Sequence, residues 1–220
     1  MGNNTCYLRV RQADGITRKC RLVVDNARKS LIINNKLPLD YQEVEYIESS
    51  GTQYIDTGVP VNDNNSFDIT FARVSNTTGI YLLSQGNVSL RLQSPGFYWF
   101  TKNYNFSGSA PIDTFVNIKC GYNYCRLDGT DLSGTTDSDT VSGNTVWLFA
   151  KNTNESFSSA KVKNLKIYNP NNILVRDLIP CYRKDNNTVG MYDIINNKFY
   201  INNGSEDFIK GNNVWLQKQI

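Results

Sequence analysis

The run LPLDYQEVEYIESSGTQYIDTG, residues 37–58, decides how the rest of the chain is read. Val44, Tyr46 and Ile47 lead into Glu48, Ser49, Ser50 and Gly51, a turn-forming cluster; Thr52, Gln53, Tyr54 and Ile55 resume a strand-like run that Asp56, Thr57 and Gly58 close. β-Branched and aromatic side chains suit a pleated, half-buried surface, so the spacing predicts two short strands joined by a turn. Working outward, the same texture recurs along the 220 residues. Phe67, Ile69 and Phe71 alternate with polar neighbours within 66–74. Short strand-like runs follow at 80–83, 88–92, 96–101, 114–120, 123–127, 145–150 and 159–168, with turn clusters between them. No amphipathic helical period of useful length interrupts them. Short strands at close spacing predict an all-β, two-sheet antiparallel sandwich rather than βαβ units.

The opening run has a counterpart near the other end, LVRDLIPCYRKDNNTVGMYDIINNKFYINNG, residues 174–204. With VEYIESSGTQYIDTG preceded by LP, and with RDLIPCYRK, VGMYD and NKFYINNG in this order, the chain resembles a widespread group of phage and prophage structural proteins of gut bacteria. The resemblance covers residues 37–211 and implies a concanavalin A-like or laminin-G-like jelly roll. Because the two blocks flank everything else, the first and last strands of the sandwich are expected side by side. The resemblance further implies a non-enzymatic virion protein made in the bacterial host cytoplasm, a capsid decoration or head fibre whose outward sandwich binds bacterial surface glycans. A tail-fibre or receptor-binding position is the alternative, and a homo-oligomer, a trimer in a fibre, is the expected state. That sandwich also hosts enzymes and adhesins, so fold alone does not decide function.

Composition agrees with a one-domain sandwich and narrows its chemistry. Hydrophobic residues make up 40% and aromatics 12%, enough for a buried core. Net charge is +3 from 23 basic and 20 acidic residues, which gives no general attraction to nucleic acid or membrane. There is no histidine, so the commonest metal ligand and the usual general base near neutral pH are missing. Five cysteines, Cys6, Cys20, Cys120, Cys125 and Cys181, follow no signal-peptide pattern, and reduced thiols are expected. Cys120 and Cys125 read either as a hairpin pair or as two small residues on neighbouring strands.

Four groups of residues are candidates for chemistry. Glycosidases of this fold place paired acids on one face of a strand, and here only Glu43, Glu45 and Glu48 come near that pattern. Glu48 falls on the opposite face from the other two, so a glycan-processing enzyme is the disfavoured rival. Asp128, Asp131, Asp137 and Asp139 form the densest acidic loop, read first as turn formation, with calcium binding as the alternative. In the run of Phe97, Tyr98, Trp99 and Phe100, alternation separates two faces, and Tyr98 and Tyr104 are the candidates for sugar stacking. Trp147, between Val146 and Leu148, is expected in the core.

Residues 1–36 precede the region of resemblance. Leu8 and Val10 alternate with Arg9 and Arg11, a turn at Asp14 and Gly15 follows, and a second basic run spans 16–24. A β-hairpin is expected, with a further strand at 30–36. An isolated two-stranded unit is marginal in water, so this segment is read as an attachment element for other virion proteins, using Arg9, Arg11, Arg18, Lys19 and Arg21.

Overall fold

A computed structural model describes residues 6–11, 17–22, 37–76, 80–153 and 156–214. The chain divides into two compact units, Met1–Lys36 and Leu37–Ile220.

In the first unit, β1 (Cys6–Arg11) pairs antiparallel with β2 (Thr17–Leu22), as expected of a hairpin. The register sets Arg9 opposite Lys19 and Tyr7 opposite Arg21. Arg9, Arg11, Lys19 and Arg21 therefore occupy positions of one face, and Arg18, opposite Val10, a position of the other. The strand expected at 30–36 lies outside the described residues.

The second unit is a two-sheet antiparallel β-sandwich, and no helix occurs among its described residues. In chain order its strands are β3 (Tyr41–Glu43), β4 (Ile47–Ser50), β5 (Ile55–Pro60), β6 (Ser66–Arg73), β7 (Ile80–Gln85), β8 (Val88–Gln93) and β9 (Gly96–Phe100). Next come β10 (Tyr104–Ser109), β11 (Val116–Gly121), β12 (Tyr124–Leu127), β13 (Thr130–Asp131), β14 (Gly134–Thr136) and β15 (Thr145–Leu148). The closing strands are β16 (Ser159–Tyr168), β17 (Leu174–Arg183), β18 (Val189–Asp193), β19 (Lys198–Ile201) and β20 (Ile209–Lys210). One sheet runs β14-β10-β9-β8-β7-β15-β5. The larger runs β13-β12-β11-β6-β16-β17-β18-β19, with β3 added on β17 and with β4 carrying β20 beside β16.

Period-two alternation builds the core. Phe67, Ile69 and Phe71 of β6 point inward and meet Trp99 and Phe97 of β9 at ring separations of 5.6 and 6.2 Å, both edge to face. Each such fully buried side chain contributes roughly 1.5–3 kcal/mol. The Trp99 indole N–H donates to the Gly121 carbonyl of the opposite sheet (2.9 Å), which satisfies its polar atom in the core. Cys120 and Cys125 stand directly opposite each other on β11 and β12 as buried free thiols, and Cys181 is also buried and free. Burial pushes the Cys125 and Cys181 thiols up to about 12.

The last strand lies against the second rather than the first: β20 pairs with β4, with a further bridge between Val44 and Asn213, while β3 pairs with β17. The opening strands are also displaced from expectation. Glu48, Ser49 and Ser50 are in β4 rather than in the turn, which falls instead at 51–54, and Asp56, Thr57 and Gly58 lie within β5. Hydrogen bonding explains the shift. Buried Gln53 accepts from the Ser50 N–H (2.8 Å) and the Ser49 hydroxyl (3.0 Å) and donates to the Asp207 carbonyl (3.2 Å). Its amide holds the turn together, so the polar residues before it can complete a strand. The closing block secures the same turn: the Tyr54 N–H donates to Asn202 Oδ1 (3.0 Å), and the Asn203 N–H donates back to the Tyr54 carbonyl (2.9 Å). A Cβ on Gly204 would sit 2.1 Å from the Thr52 carbonyl oxygen, so the backbones meet where only glycine fits.

A second clasp joins three of the sequence blocks at the buried carboxylate of Asp193. Its Oδ1 accepts from the N–H groups of Asp177 and Ile195, each at 3.0 Å, and its Oδ2 lies 3.6 Å from Arg176 Nε. Arg176 Nε in turn donates to the Thr57 carbonyl (2.9 Å).

Candidate functional site

The two outer faces of the sandwich differ in kind. Across the middle of the larger sheet, the register aligns Asp131, Arg126, Lys119, Asp68, Lys166 and Asp177 in one row. Lys119 reaches Asp68 at 3.4 Å and Lys166 reaches Asp177 at 2.9 Å, while Asn117 donates to Asp68 (2.8 Å). This is a solvated, mutually satisfied polar surface. At the other end of that sheet a small second core of Leu37, Ile179, Cys181 and Tyr192 is covered by the Tyr41 ring.

The outer face of the seven-stranded sheet is aromatic. The register aligns Asn105, Phe100, Ser89, Ser84, Trp147 and Asp56 across six strands. The adjacent row holds Ser107, Tyr98, Arg91 and Tyr81. Tyr98 and Phe100 stack at 5.8 Å with planes 22° apart, and Tyr54 and Trp147 stack at 4.3 Å with planes 21° apart. The clasped turn described above is what carries Tyr54 to Trp147. Between the two stacks the floor is made of the small buried residues Ser84 and Ser89.

Arg91 ties this face together. Its guanidinium carbon lies 4.1 Å from the Phe100 ring centroid and 4.8 Å from that of Tyr81, within cation–π range of both. Its Nε donates to Ser89 Oγ (2.9 Å), one Nη donates to the Asn87 carbonyl (3.0 Å), and the Asp139 carboxylate lies 3.6 Å away. Lys151 places its ammonium 5.5 Å from the Tyr81 centroid on the same assembly.

The acid-rich segment supplies the frame. After β14 the chain runs along the strand ends of this sheet: the Asp137 N–H donates to the Asn103 carbonyl, the Asn87 N–H to the Thr140 carbonyl, and the Ser142 N–H to the Gln85 carbonyl. The strap crosses Gly86 so closely that a Cβ there would meet Ser142 Oγ at 2.1 Å. It thereby delivers Asp139 to Arg91. Burial raises the Asp139 carboxyl above its ordinary value, opposed in part by the Arg91 charge.

Several expected sites are corrected by this geometry. Asp128, Asp131, Asp137 and Asp139 are not gathered, and among the described residues no three acidic or other metal-ligating side chains form a group that would hold calcium. Asp128 accepts from the Asn117 N–H at a turn, Asp131 pairs with Arg126 on the larger sheet, Asp137 accepts from the Ser138 N–H, and Asp139 serves Arg91. Tyr98 and Tyr104 belong to opposite faces. Tyr104 is exposed at the start of β10 on the same side as buried Phe106, 5.9 Å from its ring, whereas Tyr98 faces outward, because Phe106 is registered with inward Trp99 and Ser107 with Tyr98. Trp147 is not in the core: Val146 and Leu148 are, and alternation turns the indole between them to the outer face, where it is half-buried. For Arg9, Arg11, Arg18, Lys19 and Arg21 the structure describes only the strand positions. Sequence reading also passed over Tyr54, Tyr81, Arg91 and Lys151 as members of one site, since only strand order brings them to one face.

Two open clefts lie elsewhere. One of about 360 Å³ is lined by Asn62, Asn65, Asn169, Pro170 and Arg176, and one of about 350 Å³ by Asn202, Glu206 and Asp207 among others.

An all-β sandwich with one ion-paired and one aromatic outer face is thus the class that the fold and site define. No protein-family model matches the chain, and no curated protein does. Among solved structures it is similar to a candidate carbohydrate binding protein from Bacteroides ovatus ATCC 8483, with 12% sequence identity and a TM-score of 0.48. The alignment covers 81% of this chain and 62% of that protein's length. No helix among the described residues is long and apolar enough to cross a membrane.

Proposed function

We propose that the Leu37–Ile220 unit is a non-enzymatic glycan-binding module of a phage virion protein, borne as a capsid decoration or head fibre, and that residues 1–36 attach it to the particle. The observation that carries the glycan reading is the one-sided arrangement of Tyr54, Trp147, Tyr98, Phe100 and Tyr81 on the outer face of the seven-stranded sheet. Sugars present flat C–H faces that stack on aromatic rings and hydroxyl edges that take hydrogen bonds. Half-exposed rings interleaved with Ser107, Asn105 and Arg91 supply both. The virion reading is supported by the recurring sequence blocks, and the attachment role by the separate basic hairpin, four of whose basic positions share a face.

The glycan reading is tested on an array of bacterial surface glycans with the full-length protein and with Trp147→Ala and Tyr98→Ala. Stacking of a nucleobase on one aromatic ring is worth about 1–3 kcal/mol, and on that scale each variant is expected to weaken a hit at least fivefold. Unchanged binding by both variants overturns the assignment of this face. Release of reducing ends from any bound glycan would refute the non-enzymatic reading. Attachment is tested by co-sedimenting the full-length chain, and a version without residues 1–36, with particles stripped of the protein. Binding by the full-length chain alone is expected, and equal binding by both moves the docking surface to the sandwich.

A further inference from the structure

We propose that the Tyr81 end of the aromatic face is a subsite for a carboxylated sugar, with the Lys151 ammonium as the partner of the carboxylate; the inference rests on the glycan-binding reading above. Among the described residues, the charged groups facing this end are Arg91 from β8, Lys151 from the segment after β15 and Asp139 from the strap. Asp56 of β5 lies in the row of Trp147, with its Oδ1 accepting from the Gly58 N–H (2.9 Å). Among the described residues, two cations therefore meet one anion at Tyr81. Arg91 is spoken for: it lies between two rings, donates to Ser89 and Asn87, and pairs with Asp139. Lys151 differs, since among the described residues it forms no ion pair, and its ammonium lies 5.5 Å from the ring centre of half-exposed Tyr81.

The chemistry that complements this arrangement is a pyranose bearing a carboxylate. A uronic acid bound along the row of Tyr98, Arg91 and Tyr81 carries its carboxylate on C5, at the edge of the sugar ring, where it meets the ammonium that lies over the Tyr81 ring. A neutral hexose would stack equally well on the aromatic face but leave the ammonium with water. An ammonium over an aromatic ring and partly desolvated gains more from a carboxylate than one in open solvent.

The test measures binding of the full-length protein to polygalacturonate, to the same polymer with its carboxyl groups reduced to alcohols, and to a sulfated galactan, with Lys151→Gln and Lys151→Arg alongside. Urea unfolding establishes that the variants are folded. Polygalacturonate is expected to bind best and to weaken with added salt. Lys151→Gln is expected to lose about fivefold toward it, Lys151→Arg to retain most of it, and neither to change binding of the reduced polymer. Equal binding of the reduced polymer overturns the subsite while leaving the glycan reading in place. Sulfated galactan that binds as tightly, with the same loss on Lys151→Gln, overturns the carboxylate class in favour of bare charge. If none of the polymers binds and the neutral array is also silent, the glycan reading fails and the subsite with it.

Discussion

Replacing Asp193 by alanine tests the clasp that joins the sequence blocks around β5, β17 and β18. The carboxylate is fully buried, accepts two backbone N–H groups at 3.0 Å and faces Arg176 Nε at 3.6 Å. Stranding a buried N–H costs about 1–3 kcal/mol, and removing one partner of a buried ion pair about 3–5 kcal/mol. These losses overlap, because one side chain makes all the contacts. Arg176 also keeps its hydrogen bonds to the Thr57 and Val175 carbonyls and is 15% exposed, so it is not stranded without solvation. A total of about 4 kcal/mol for Asp193→Ala follows. Asp193→Asn keeps an oxygen for the two N–H groups and loses only the charge, for about 2 kcal/mol. In urea, with a slope of about 2 kcal/mol per molar, the midpoints should fall by about 2 M and 1 M. Asp193→Asn combined with Arg176→Met should cost less than the sum of the two single changes, since it removes both charges together. An Asp193→Ala variant within about 1 kcal/mol of wild type would sink the reasoning. An asparagine variant as unstable as the alanine one would show that charge pairing, rather than N–H acceptance, carries the clasp.

Four other outcomes are expected. Gly86→Ala should be destabilised by about 2–3 kcal/mol, because residue 86 has φ of +83° and a Cβ would strike the strap at Ser142; it should also weaken glycan binding by displacing Asp139 from Arg91, which calorimetry and the array together would register. At pH 9 the folded protein should leave Cys125 and Cys181 almost unlabelled by a thiol reagent, since a thiol at about 12 is ionised there to roughly one part in a thousand. Because these folded-state values lie above the unfolded ones, stability should be complete below about pH 9 and fall as pH rises toward 12. The Asp139 carboxyl is likewise raised, so its contribution is present in acid and is lost as pH rises through its folded value; Asp139→Asn should flatten the stability profile in that acidic range.

The alternation of Phe67, Ile69 and Phe71, the turn clusters and the absence of a helical period determined an all-β sandwich, and those residues do line its core. The two flanking blocks likewise pointed to the opening and closing strands of the sandwich lying side by side, and β4 pairs with β20. Both conclusions rest on local periodicity and on order along the chain, which a sequence carries directly. β10 escaped because its Asn, Ser and Gly residues read as a loop; its place is secured by pairing with β9 and β14. The acidic loop was legible as acidic but not as a strap, since its ligands are backbone groups of strand ends distant in sequence. Trp147 shows the boundary most plainly. It was expected in the core although period two opposes it to Val146 and Leu148, and only the lateral order β9-β8-β7-β15-β5 puts it on one face with Tyr54, Tyr81, Arg91 and Phe100. Strand order is a product of long-range pairing and packing, which no local pattern encodes, and the aromatic face exists only because of it.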